Sequence, residues 1–391
     1  MLEALIKIVV VIGAIMTAVA YFVLLERKIA AWVQDRKGPN RVGLPLTKVR
    51  LFGLGQPLAD GVKMMLKEEY IPGHVDKALY VLAPISILAA ALATFAVIPF
   101  GSVWPTDGGP IEFVVAPGFD AGLIYVFALS GIAVYGVILG GWASNNKYSF
   151  LGGLRSSAQL IAYEIPLSLG ILGIVLTAGS LKLDAVITQQ AETGMWNAFV
   201  QPLGFIVFLV AATAEAGRMP FDLPEAEQEL IGGFHTEYSG MKLTMYAAAE
   251  FMHMITASFL IVILFLGGWH FWGLTGSGDQ ITWVTALIRV GVLCGKIFLV
   301  ILGFMLVRWT LPRFRFDQLM ALAWKVMLPL GMVNLVLVAA MVEYFPGAIV
   351  DRPLIVFLGM SGLTLVSLVS MAILAPLGSK QQPSTLDAEM T

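Results

Sequence analysis

Residues 243–267 read LTMYAAAEFMHMITASFLIVILFLG. As a helix, these 25 residues reach roughly 37 Å at about 1.5 Å each, enough to cross a hydrocarbon core of roughly 30 Å. Glu250 is the only formal charge in the run, and His253 follows three residues later on the same helical face. A carboxylate at membrane depth is costly, so it is expected to face a wet cavity or a partner rather than lipid.

Eight further apolar runs have the same character, over residues 2–25, 77–100, 120–142, 157–180, 198–216, 285–307, 326–345 and 353–376. The chain is therefore expected to be an all-α polytopic membrane protein. It should have about nine transmembrane helices and interfacial amphipathic helices in its cytoplasmic loops. A single integral membrane domain over residues 1–376 would be followed by a polar tail, 377–391. The first run shows no cleavage-site pattern and reads as a retained span rather than a signal peptide. No internal repeat is evident, which disfavours a repeat-built secondary transporter.

Composition excludes several other classes. Hydrophobic residues are 58% of the 391 positions and charged residues 13%, against about 45–50% and about 25% in soluble domains. A net charge of −2 argues against nucleic acid as a partner. The single cysteine, Cys294, can neither close an internal disulfide nor hold an iron–sulfur cluster. His74, His235, His253 and His270 have no metal-ligand spacing, so no metal site is expected. If the protein serves electron transfer, its redox centres belong to partners.

Orientation follows from the basic residues. Of 24 Lys and Arg, 19 fall in the first loop, in every second loop after it and in the tail. Only Lys7, Lys182, Arg289 and Arg352 fall on the other side, and Lys296 lies within a span. The bias places the N-terminus outside and the C-terminus in the cytoplasm. Trp104, Trp196, Trp269, Trp272 and Trp283 fall at the outer span ends, as interfacial aromatics should. The inner loops are the longer and more charged ones, so function is expected on the cytoplasmic face.

Within those loops, residues 55–69 (GQPLADGVKMMLKEE) read as a short amphipathic helix with Pro57 near its start. Leu58, Val62, Met65 and Leu66 recur at helical spacing beside Lys63 and Lys67. An ordinary basic anchor and one wall of an entrance for a lipid-like substrate both fit this segment.

Glu164, in the first turns of the fourth span, Glu215, at the end of the fifth, and Glu250 are intramembrane acids. Three in the same half of a bundle favour a proton path over three separate structural pairs. Lys296 is a weaker candidate that would snorkel or pair with one of them.

The densest run is residues 214–230, AEAGRMPFDLPEAEQEL. Asp222 can cap a helix there, with Pro224 in its first turn and Glu225 completing a capping box. Glu225 and Glu229 share a helical face, and Glu227 points away. A solvated acidic helix is the plain reading, but Phe221, Leu230, Ile231 and Phe234 argue for partial desolvation and raised pKa values. The last inner loop alternates Arg308, Arg313 and Arg315 with Phe314 and Phe316 and suits docking to a peripheral partner.

Taken together, these loops resemble the H-subunit family of bacterial NADH-quinone oxidoreductase, the respiratory complex I membrane component that also includes chain 1 of the mitochondrial NADH dehydrogenase. The runs that match are ERK at 26–28, RKGPN at 36–40, Gln56-Pro57 with Asp60 and Lys63, GWASN at 141–145 and Tyr163-Glu164. Arg218 with PFDL at 220–223, EAEQEL at 225–230, Glu237-Tyr238 and PRFRFDQLM at 312–320 complete the ordered set. It covers the chain from residue 24 to about 330. His235 and Thr236 depart from some relatives, and the ninth span and tail exceed the mitochondrial form.

The resemblance implies a component of a proton-translocating enzyme that has no complete catalytic centre in this chain. Quinone would be the substrate. Iron–sulfur clusters and FMN would lie in partner subunits, including peripheral ones that carry the terminal cluster and share the quinone wall. Other membrane-arm pumping subunits, in a bacterial inner membrane, would complete the complex. It also implies a quinone cavity near Arg27, Asp60, Lys63, Phe221, Phe234, Tyr238, Arg308 and Arg313. The acidic series would be Glu26, Glu164, Glu215, Asp222, Glu225, Glu227, Glu229, Glu237 and Glu250. The alternatives are the related subunit of a membrane-bound hydrogenase, a self-sufficient ion transporter and a passive membrane anchor. The long first loop and full acidic loop speak against the first. The lack of repeats speaks against the second, and Glu164 and Glu250 against the third.

Overall fold

The computed structural model describes residues 2–43, 52–104, 111–222, 231–275, 282–345 and 353–377. Its elements, in chain order, are α1 (Leu2–Val33), α2 (Gln56–Leu66), α3 (Lys77–Ala93), β1 (Val103–Trp104), β2 (Ile111–Glu112), α4 (Gly122–Ala143) and α5 (Lys147–Ala178). They continue with α6 (Leu183–Thr193), α7 (Asn197–Val200), α8 (Pro202–Glu215), α9 (Gly240–Phe265) and α10 (Trp283–Thr310). The last two are α11 (Phe316–Tyr344) and α12 (Pro353–Leu377). The only sheet among the described residues is the two-residue antiparallel pairing of β1 with β2.

Eight of these helices are long and apolar enough to cross a membrane, and α8 is a ninth, shorter apolar helix. The all-α polytopic expectation holds. The expected fifth span, 198–216, is divided. Pro202 has no N–H to donate and opens α8 in its first turn, so α7 stands apart as a single turn.

The expected fourth span begins ten residues earlier than its apolar run. Asn146 caps α5 by accepting from the Tyr148 backbone N–H at 3.0 Å, and Gly179 ends it in the left-handed region at φ 63. Glu164 therefore lies at the middle of a 32-residue helix, not in its first turns.

The apolar run 243–267 becomes the centre of the bundle. In α9, 83% of the most apolar window is buried, against 17% in α1, whose Leu5, Ile6, Val9 and Val10 face outward. α3 packs on α4 and α9, α5 on α4, α8 and α11, and α1 on α9 and α10. One end of the bundle, the basic face, carries α2 and most of the basic residues. The other carries the β1–β2 pairing, α6 and α7. There Trp104 meets Trp283 edge-on at 4.6 Å, and Trp196 stacks on Trp272 at 4.5 Å.

Candidate functional site

The α2 helix lies against α1 and α9 with no fully buried residue, as its amphipathic pattern requires. Three polar contacts hold the α2 segment. Lys28 on α1 donates to the Phe52 carbonyl at 2.5 Å. Arg27 bridges Asp60 at 2.6 Å, and Gln56 donates to the other oxygen of Asp60 at 3.0 Å. Beyond α2, Glu69 meets Lys242 of α9 at 2.5 Å.

Between α1, α2 and α9 lies a lateral pocket of about 400 Å³. Its wall is mostly apolar and rich in methionine: Met16, Val19, Val23, Leu24, Met64, Met65, Met241 and Leu243. Methionine is flexible and polarizable, and suits a long apolar ligand of variable shape. Val23, Arg27 and Gln56 also line a second, larger cavity, so the two adjoin at the Arg27–Asp60 bridge.

The second cavity measures about 1110 Å³ and lies on the basic face. Arg27, Arg36, Lys37, Arg41, Arg218 and Arg308 line it, and among the described residues only Glu26 and Glu250 oppose them there. Glu26, which is 8% exposed, is the anchor. Both of its oxygens accept from Arg218, at 3.0 and 3.2 Å, and one also takes a short bond from Arg308. The Arg218 guanidinium lies 4.1 Å from the Phe251 ring centre. Two guanidiniums on one carboxylate leave the group a net cation, in a site with little water to screen it.

Two small cavities continue inward. One, about 60 Å³, shares Glu250 with the cationic cavity and is also lined by Ser130, Glu215, Tyr246 and His253. The next, about 20 Å³, shares Ser130, Glu215 and His253 and adds Thr94 and Thr256. Ser130 donates to Glu215 in a short hydrogen bond. The neighbouring Gly131 lies so close to Glu164 that a Cβ there would be 3.5 Å from the carboxylate. Glu250, Glu215 and Glu164, carried by α9, α8 and α5, are thus gathered around α4. Gly217, at φ 62, turns the chain away directly after Glu215.

The remaining expected residues divide as follows. Arg27, Asp60 and Arg308 line these cavities, as do Glu26, Glu215 and Glu250. Phe234 lines the 60 Å³ cavity, whereas Phe221 stacks on Phe314 at 5.5 Å, outside all of them. Tyr238 stacks on Tyr80 at 4.2 Å, and Glu237 accepts from the Asn146 amide at 2.6 Å. Lys63 is exposed and Arg313 half-buried, and neither lines these cavities. Asp222 ends its described segment; Glu225, Glu227 and Glu229 lie outside the described residues, as do Pro224 and the tail 378–391.

Lys296 neither snorkels nor meets an acid. It donates to the carbonyls of Leu266, Gly268 and His270 at 2.6, 3.0 and 2.7 Å, at the end of the bundle away from the basic face. No group of three His, Cys, Asp or Glu that would hold a metal occurs among the described residues. Sequence reasoning does not single out Gln56, Arg218, Ser130 or Tyr246 as cavity residues. Of these, only Arg218 carries a local signal, as an arginine at a span end.

Residues 6–339 match the family model described as NADH dehydrogenase. The chain belongs to this family. Among the relatives it is similar to is the NADH-quinone oxidoreductase H subunit 1 of Cytophaga hutchinsonii, 46% identical over 325 residues, 83% of this chain and 92% of the relative. The corresponding H subunit of Leptospira biflexa is 45% identical over 338 residues, 84% of this chain and 91% of that one. The H subunit 2 of Koribacter versatilis is 43% identical over 360 residues, 88% and 97%. Membership in the NADH dehydrogenase family makes the chain a multi-pass membrane component of an enzyme complex.

Proposed function

We propose that the chain admits quinone from the bilayer and links its reduction to proton pumping. The observation that carries this reading is the junction of an apolar, methionine-lined pocket on the lipid side with a cationic cavity on the basic face, across Arg27 and Gln56. A quinone has an apolar tail and a polar head, and each half of the junction suits one of them. A head that gains electrons gains negative charge. Arg27, Arg218 and Arg308 then stabilise it, the hold of Arg218 and Arg308 on Glu26 weakens, and the field at Glu250 across the cavity changes. Glu250 opens onto the cavity of Glu215, so a change of field in the cationic cavity has a short way to travel to the inner acids.

In this reading the basic face is cytoplasmic, the N-terminus lies outside and the C-terminus inside a bacterial inner membrane. The electrons come from peripheral partners that carry FMN and iron–sulfur clusters, and further membrane-arm subunits pump alongside. Asp222, Glu237 and the acids Glu225, Glu227 and Glu229 belong to the same path, with Phe221, Phe234, Tyr238, Lys63 and Arg313 around the quinone route.

Gly61 provides the test. It lines the lateral pocket, and a Cβ there meets nothing within 4 Å. Gly61→Trp therefore leaves the fold intact and fills the pocket. Quinone reduction by the purified complex should fall about tenfold or more, as expected when reactant positioning is lost. Electron transfer from NADH to a soluble artificial acceptor should persist. Undiminished quinone reduction would overturn the entrance.

A further inference from the structure

The inner acids have a second neighbourhood that the cationic cavity does not reach. Three tyrosines from separate segments converge there: Tyr80 on α3, Tyr238 before α9 and Tyr246 within α9. Tyr80 and Tyr238 stack at 4.2 Å with their planes 5° apart, and Tyr246 meets Tyr238 edge-on at 4.9 Å. The hydroxyls of Tyr246 and Tyr238 gather over Gly140 on α4. A Cβ there would lie 2.3 Å from the Tyr246 oxygen and 3.6 Å from that of Tyr238, so only a bare backbone admits them. Ser144, one turn along α4, is fully buried and donates to the Gly140 carbonyl at 2.7 Å. The Tyr238 hydroxyl lies beside those of Ser144 and Tyr246 without a closed hydrogen bond to either. Burial pushes this phenol up to about 12, so it stays protonated at neutral pH.

Both ends of this group open onto polar space. Inward, Tyr246 lines the 60 Å³ cavity with Glu215, Glu250 and His253, and that volume has room for water. Outward, Ser144 is followed by Asn145 and Asn146. These line a cleft of about 460 Å³ with His74, Asp76 and Lys147, and Asn145 and Lys147 are exposed. Glu237 stands at the boundary. Its carboxylate accepts from Asn146 at 2.6 Å, and its carbonyl accepts from the Tyr80 hydroxyl at 2.7 Å.

We propose that Ser144, Tyr238 and Tyr246 form a hydroxyl relay. It carries protons from the basic-face cleft at Glu237 to the cavity of Glu215 and Glu250, bypassing the cationic cavity. The proposal rests on the reading of those acids as the coupling element. Each hydroxyl oxygen takes a proton from the group before it and releases its own to the next. Cavity water hands the last proton to a carboxylate. One proton moves, no hydroxyl changes charge and no electron is involved. At rest the Tyr246 hydroxyl donates to the Gly136 carbonyl at 3.3 Å, a bond it exchanges when it passes a proton on.

The test uses the native complex in sealed vesicles, with NADH oxidation by a soluble acceptor as the measure of assembly. Tyr246→Phe removes one oxygen and keeps the ring. Protons pumped per electron should fall by roughly half or more. Gly140→Ala pushes the Tyr246 hydroxyl aside without removing it and should give the same loss. Wild-type pumping in both, with loss in Glu215→Gln, overturns the relay and leaves the acids in their role. Wild-type pumping in Glu215→Gln overturns the reading of the acids, and the relay falls with it. Should Tyr246→Phe or Gly140→Ala fail to assemble, Ser144→Ala decides: reduced pumping supports the relay and wild-type pumping overturns it.

Discussion

At the basic-face end of the bundle, buried polar side chains meet one another and border open space. At the far end they terminate on backbone. Gln190 donates to the Ile263 carbonyl and Asn197 to that of Leu264, both at 2.9 Å. Lys296 fills the Leu266, Gly268 and His270 carbonyls, and Gln201 donates to Gly173 at 3.1 Å. The last turn of α9 leaves carbonyls that no N–H of the helix can reach, and side chains from α6, α7 and α10 supply the donors. Both ends are polar inside a membrane protein and both keep unpaired buried atoms, Gln201 Oε1 and the Asn334 amide among them at the far end, but the acid-lined cavities described above lie toward the basic face. Polarity at depth is therefore a poor sign of function by itself. Where the polar atoms end is the better one.

Three substitutions sharpen this contrast or break it, in order of expected effect. Glu26→Ala strands the buried Arg218 and the half-buried Arg308, and should cost about 3–5 kcal/mol. The measurement is the amount of the protein retained in the membrane fraction, and full retention would show that Glu26 does not anchor the cationic cavity. Lys296→Met keeps the bulk but leaves three carbonyls without a donor, and should cost about 1–3 kcal/mol. Its readout is earlier thermal inactivation in detergent with unchanged protons per electron. A specific loss of pumping at unchanged stability would erase the distinction between the two ends. Lys63→Ala should be the mildest, within about 0.5 kcal/mol and with at most a small drop in quinone reduction, because the side chain stands at the edge of the proposed route, exposed and bordering neither cavity. A clear loss of quinone reduction would extend the site beyond its present walls.

The sequence made the helices legible because each apolar run exceeds what a soluble core needs, and α2 because its apolar positions recur on one face. It misplaced Glu164. Hydropathy sees where lipid begins, and α5 runs on through residues 147–156 as a helix outside the apolar window, started by the Asn146 cap. The coming together of Arg27 with Asp60 was foreseeable, since both flank the first loop. The convergence of Glu26 with Arg218 and Arg308 joins residues 192 and 282 positions apart, and no local pattern encodes it. The same holds for Tyr80 against Tyr238. Lys296 was misread because a lysine in a span suggests an acid, while the unmet need was that of backbone carbonyls at the end of α9 and in the turn beyond it.

The shortness of α8 has an electrical consequence. Fourteen residues make a helix of about 21 Å, against roughly 30 Å of hydrocarbon, so a crossing made by α8 leaves at least one of its ends inside the insulating layer, and the proposed path assigns that place to Glu215. On the path proposed above, a proton arriving at Glu215 from the basic face has already crossed part of the membrane's voltage drop. The rest falls across the length of α8, and a full crossing is worth about 2.3 kcal/mol per charge at 100 mV. On that path, loading and unloading this carboxylate are both voltage-sensitive steps, with the field weighing more on the side where the helix is intact.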